Sequence, residues 1–121
     1  MDKSKLLERT ELKTKQSKIF GVEGVQVVTI RELTLAERLE MEDRALEEGS
    51  SHSAALVVAA VIDEGGNRVF DWEDAKTINE LQSSRFEEVI RDARDLCLVG
   101  PKAEVIAENF SEGAQIAGSN G

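Results

Sequence analysis

Apolar residues are most concentrated in the middle of the chain, where nine of them follow one another over residues 54–62. A membrane-spanning helix needs about 20 such residues, so this shorter run predicts a buried element of a folded domain. Four of the nine are alanine, which favours a helix over a strand. We therefore predict a helix over residues 53–62 that is apolar on every side and is covered by neighbouring amphipathic helices.

A strand is predicted before this helix. Residues 25–30 are rich in β-branched side chains, and Glu23 and Gly24 are placed to close a hairpin onto residues 19–22. Glu-Gly is a weaker turn pair than Asn-Gly, so the pattern leaves open a single strand or a hairpin.

The first amphipathic helix is predicted directly after the strand. Thr34 and Glu37 have the spacing of a capping box, in which each side chain binds the backbone N–H of the other residue. This predicts a helix over residues 35–48, ended by Gly49. The positions expected to face inward are Leu35, Leu39, Ala45 and Leu46.

Three more helices are predicted downstream. Asp71 is expected to cap a short helix, and Ser84 and Glu87 form a second capping box at the start of a longer one. Pro101 suits the first position of a last helix, over residues 101–110.

These elements predict a mainly α (α+β) fold, a compact bundle of about five short helices with an N-terminal β-strand or hairpin. Residues 1–17 are expected to form a flexible basic arm, residues 18–110 a single mainly helical domain, and residues 111–121 a disordered tail.

The charge distribution changes which partners we expect. The net charge is −9, but residues 1–20 hold six Lys/Arg against three Asp/Glu, whereas the other 101 residues hold nine against 21. A body with a charge of −12 repels phosphate backbones, which argues against nucleic acid as a partner. No apolar signal-peptide region begins the sequence, and no membrane segment is predicted, so a cytoplasmic location is expected.

No catalytic, cofactor-binding or metal-binding constellation is recognisable in the sequence. His52, the single histidine, is expected to be an exposed polar residue, and Cys97 falls on an apolar helix stripe and is expected to be a small core residue. Trp72 is expected at the edge of the core. The acids of residues 63–74 lack the spacing of a calcium loop and suit turns and helix caps. We therefore predict a protein that is not an enzyme.

The order of these motifs resembles the tail assembly chaperones of long-tailed bacteriophages and prophages. The similarity lies in a strand that ends in Arg31-Glu32-Leu33-Thr34 at the start of a helix, then an apolar helix, then a turn with Gly65-Gly66 at its apex and Phe70 after it. The stretches that carry it are residues 27–38, 54–74 and 86–98.

The resemblance implies a binding function without catalysis. Proteins of this family coat the helical tape measure protein and keep it soluble until tail tube subunits polymerise around it; in many phages an extended form recruits those subunits. Our hypothesis for the contact is a face completed by the last predicted helix through Val105, Ile106 and Phe110. The alternative is that this stripe simply closes the core.

Two other classes of function remain open from the sequence. One is another phage structural protein, such as a head–tail connector or a tail-completion subunit. The other is an acidic regulatory adaptor or DNA mimic, suggested by the charge of −12.

Overall fold

The structure is a computed structural model that describes residues 2–98. Its elements are α1 (Lys3–Leu6), β1 (Thr14–Gly21), β2 (Gly24–Arg31), α2 (Leu35–Glu47), α3 (His52–Ala60), β3 (Val61–Ile62), α4 (Asp74–Glu80) and α5 (Ser83–Ala93), which continues as a π-helical segment, Arg94–Leu98. This confirms the mainly α (α+β) class. The predicted helix over residues 101–110 and the predicted tail lie outside the described residues.

The apolar helix α3 lies at the centre of the fold. Every residue from Ala54 to Ala60 is buried, and α2, α4 and α5 all pack against it. The Ser51 hydroxyl caps its first turn by accepting the N–H of Ala54 at 3.1 Å. The prediction of a helix buried on all sides is therefore confirmed. None of the helices in this part of the chain has the length and apolar character to cross a membrane.

The end of α3 differs from the prediction. Val61 and Ile62 leave the helix and form β3, which pairs antiparallel with Ile30 and Thr29 of β2. The turn that follows explains the change, because the Asp63 carboxylate accepts backbone N–H groups within it and Val69 returns to bond the carbonyl oxygen of Val61. The Asp63 carboxylate and the Val69 N–H therefore hold residues 61–62 in an extended conformation.

The three strands form one antiparallel sheet in the order β1-β2-β3, and the hairpin of β1 and β2 is fully paired over eight residues of each strand. Val22 and Glu23 form its turn, and the positive φ of 128° falls at Gly24, where a glycine adopts it without strain. β1 begins at Thr14, so its first four residues come from the segment predicted to be a flexible arm. Pairing with residues 28–31 of β2 orders them.

The sheet has a covered and an open face because side chains alternate along each strand. Ser17, Val28 and Ile30 belong to the inner face, against which α5 packs. Phe20, Val25 and Val27 belong to the outer face and are exposed.

A buried carboxylate connects the hairpin to α5. Asp92 is 6% exposed; its carboxylate accepts the hydroxyl of Ser17 at 2.6 Å and lies 3.3 Å from the Lys15 ammonium. Burial raises the pKa of Asp92, but the hydrogen bonds from Ser17 and Lys15 and the charges of Lys15 and Arg91 outweigh it and hold the pKa below its ordinary value. We call Lys15, Ser17 and Asp92 the hairpin clamp.

Two predicted helix caps are wrong. The Asp74 carboxylate accepts the N–H of Asp71 at 2.8 Å, so the acid that serves this turn lies inside α4 and not at Asp71. α5 begins at Ser83, which places Ser84 within the first turn, where the backbone is already helical and the residue is not at the capping position.

We predict that Asp92→Asn lowers the free energy of unfolding by about 1–3 kcal/mol at pH 7, because the amide keeps the shape but loses the charge-assisted bonds. The folded pKa of Asp92 lies below its unfolded value, so the stabilisation is present above about pH 4 and is lost as the pH falls further. The deficit should therefore shrink in acid. Urea unfolding of wild type, D92N and the exposed control E87Q, at pH 7 and below about pH 4, measures this deficit. Equal stability of D92N and E87Q at pH 7 would contradict the clamp.

Candidate protein-interaction surface

The helix α2 exposes three leucines to solvent. Leu35 is 72% exposed, Leu39 52% and Leu46 85%, whereas Met41 and Ala45 on the same helix are 1% exposed. Successive helical residues are about 100° apart, so the three leucines fall within about 40° of one another on one side of the helix. We call Leu35, Leu39 and Leu46 the leucine face.

The prediction that these three leucines face the core is therefore wrong; of the four positions predicted to face inward, only Ala45 does. The cause lies at the start of the helix. Thr34 and Glu37 form the predicted capping box, and the Glu37 carboxylate also pairs with the Arg31 guanidinium at the end of β2. The Arg31–Glu37 pair holds the side of α2 that carries Glu37 towards the end of β2. Met41 lies four residues further on and Ala45 eight, so they share that side and pack inward.

The electrostatics of this anchor favour the charged pair. Partial burial raises the pKa of Glu37, but the Thr34 backbone N–H and the neighbouring Arg31 charge lower it more, and the pKa lies below its ordinary value. Glu37 is therefore ionised at neutral pH, and the rotational setting of α2 is maintained there.

A second apolar surface lies on the outer face of the sheet. Phe20, Val25 and Val27 are exposed side by side on the hairpin, and Val69 lies beside Val27 and Ile62 along a shallow groove. Most of the remaining groove lining is polar, from Gln16 and Thr29 to the turn that begins at Asp63. This surface is therefore more mixed in character than the leucine face.

An open depression also lies between the start of α3 and α5. Ser53, Ile90 and Arg94 contribute to it, and the Arg94 guanidinium donates to the Ser53 hydroxyl. The Arg94 and Ser53 polar groups are thus already engaged with each other.

The structure places His52, Cys97 and Trp72, the residues considered for chemistry in the sequence, in surroundings that fit the roles expected of them. His52 is exposed at the first position of α3. Cys97 packs against the core and its thiol donates to the Arg31 carbonyl at 3.1 Å; burial raises the pKa of Cys97 to about 11, which makes it a poor thiolate. Trp72 is partly buried at the core edge, with the Arg68 guanidinium 4.7 Å from its ring centre.

Among residues 2–98, no group of three or more His, Cys, Asp or Glu side chains is arranged to hold a metal ion. The predicted partner-binding residues Val105, Ile106 and Phe110 lie outside the described residues. The leucine face has the same residue spacing as a core-facing stripe, so the sequence pattern alone places these leucines in the interior.

Comparisons of this chain with protein-family models, with curated proteins and with solved structures found no match.

We predict that Leu39→Gln changes the free energy of unfolding by no more than about 0.5 kcal/mol, because Leu39 faces solvent and glutamine is a good helix former. Met41→Ala, two residues away, should cost about 2–5 kcal/mol because it leaves a cavity against α3. Denaturant unfolding of the two single variants measures this contrast. Similar losses for both would place Leu39 in the core and contradict an outward leucine face.

Proposed function

We propose that this protein is a non-catalytic phage tail assembly chaperone, which binds the tape measure protein in the bacterial cytoplasm and keeps it soluble during tail assembly. The observation that carries the proposal is the leucine face of α2. Large aliphatic side chains in a row on one side of a helix are a recognised docking surface for another helix. A long helical protein that aggregates when alone is the kind of partner such a surface shields.

The acidic body suits a protein that keeps another one soluble. The described part of α2 carries Glu40, Glu42, Asp43 and Glu47 around the leucines, and the whole chain has a net charge of −9. A complex that retains this charge repels its own copies, so apolar contacts made on the leucine face do not promote general aggregation.

The residues that carry the family resemblance serve the fold at the junction of β2 and α2. Arg31 pairs with Glu37, Leu33 packs against the core, and Thr34 caps α2. These residues therefore support the proposal indirectly, because they specify the order and junction of β2 and α2. The binding surface itself comes from the helix that this junction orients.

A function outside catalysis is part of the proposal. In the described residues, the buried polar side chains Ser17 and Asp92 bind each other, and neither is open to a substrate. Tail tube subunits as a second partner, and a contribution from Val105, Ile106 and Phe110, remain predictions from the resemblance.

Co-expression with the long helical protein encoded nearest downstream tests the proposal. We expect a soluble complex from a partner that is insoluble alone, and loss of that complex when Leu35, Leu39 and Leu46 are all changed to Gln. The matched control changes Val25 and Val27 on the sheet to Thr and should retain the complex. A further variant, Ile106→Ser with Phe110→Ser, tests the C-terminal contribution.

Two results would overturn the proposal. One is the absence of both a complex and a gain in solubility for the partner. The other is the recovery of this protein as stable rings or as a component of finished virions, which would indicate a connector or tail-completion subunit instead.

A further inference from the structure

The leucine face has the spacing of a coiled-coil seam. Leu35, Leu39, Glu42 and Leu46 are separated by four, three and four residues, which is the alternation of core positions in a heptad repeat. Three of these four positions carry leucine, a common residue in such seams. The fourth carries a carboxylate.

Glu42 sits between Leu39 and Leu46, and its side chain is partly exposed. The Arg38 guanidinium on the edge of the seam lies 3.5 Å from its carboxylate, and this pair is the only ion pair that Glu42 forms among the described residues. An apolar helix laid over the seam would cover this carboxylate and remove water from it. Binding therefore favours an occupant that supplies a positive charge at the same level.

We propose that the leucine face binds one α-helix of a partner protein as a short two-helix seam, and that this helix carries Lys or Arg opposite Glu42. The inference rests on the proposed function and deepens it by naming the chemistry of the bound segment. From Leu35 to Leu46 the seam is about 16 Å long, so the partner segment needs about three helical turns.

A second copy of this chain fits the seam poorly. Parallel pairing of two α2 helices puts Glu42 against Glu42, and antiparallel pairing in register puts each Glu42 against Leu39. The surrounding acids, Glu40, Asp43 and Glu47, add repulsion between copies. The chain's own segment over residues 101–110 carries one lysine against two glutamates, so its net charge is negative, like that of α2, and disfavours it as the occupant.

Two synthetic helical peptides of three heptads test the inference with the full-length protein. Both carry leucine at the seam positions and differ only at the position placed opposite Glu42, which is Lys in the first peptide and Glu in the second. Binding is followed by fluorescence anisotropy at low salt. We expect the Lys peptide to bind about tenfold more tightly, because Glu42 faces this position.

Charge reversal makes the test specific to Glu42. E42K should invert the preference so that the Glu peptide binds more tightly. The control E47K makes the same charge change about 140° around the helix from Glu42, beside Arg44, and should leave the preference for Lys unchanged. L39Q should weaken both peptides equally, since it removes apolar contact without changing charge.

Several outcomes would overturn the inference. These are equal binding of the two peptides, an effect of E47K equal to that of E42K, and a solution dimer that L39Q disperses, which would assign the seam to a second copy. Tighter peptide binding by a variant with Ile106→Ser and Phe110→Ser would assign it to the chain's own C-terminal segment. Failure of the proposed function is distinguishable, because the peptides report on the seam whether or not a tape measure protein is bound.

Discussion

The requirement to cover α3 on every side governs the rest of this structure. A helix with no polar face must exclude water all round, so α2, α4 and α5 are all placed against it. α2 contributes Met41 and Ala45, both 1% exposed, to this cover. Leu35, Leu39 and Leu46 lie on another side of the same helix and stay exposed, so the helix that closes the core also carries an apolar outer surface.

Two charged contacts set the orientation of the elements around this core. The Arg31–Glu37 pair determines which side of α2 turns inward, and the hairpin clamp at Asp92 holds β1 against α5. Both carboxylates are ionised at neutral pH, because their hydrogen bonds and cationic neighbours outweigh the effect of burial on the pKa. The leucine face is thus presented on a helix whose first turn is anchored to β2, and such preorganisation lowers the entropic cost of binding a partner.

Local signals made the fold predictable, whereas the interaction surface depends on contacts distant in sequence. The Thr34–Glu37 capping box, the apolar run of α3 and the β-branched strand are each specified within a few residues. The clamp joins Ser17 to Asp92, 75 residues apart, and no local pattern indicates it. The leucines of α2 have the spacing of a core stripe, and their outward direction depends on how α2 is anchored by the Arg31–Glu37 pair, which no local pattern indicates.

The central claim is that the leucine face of α2 is a partner-binding surface. Methyl NMR with a soluble paramagnetic probe tests it most directly, by comparing the free protein with its complex with the co-expressed partner. We predict that the methyl signals of Leu35, Leu39 and Leu46 are broadened by the probe in the free protein and protected in the complex, while those of Val25 and Val27 stay accessible. Leucine methyl signals that remain equally accessible in the complex would contradict the claim.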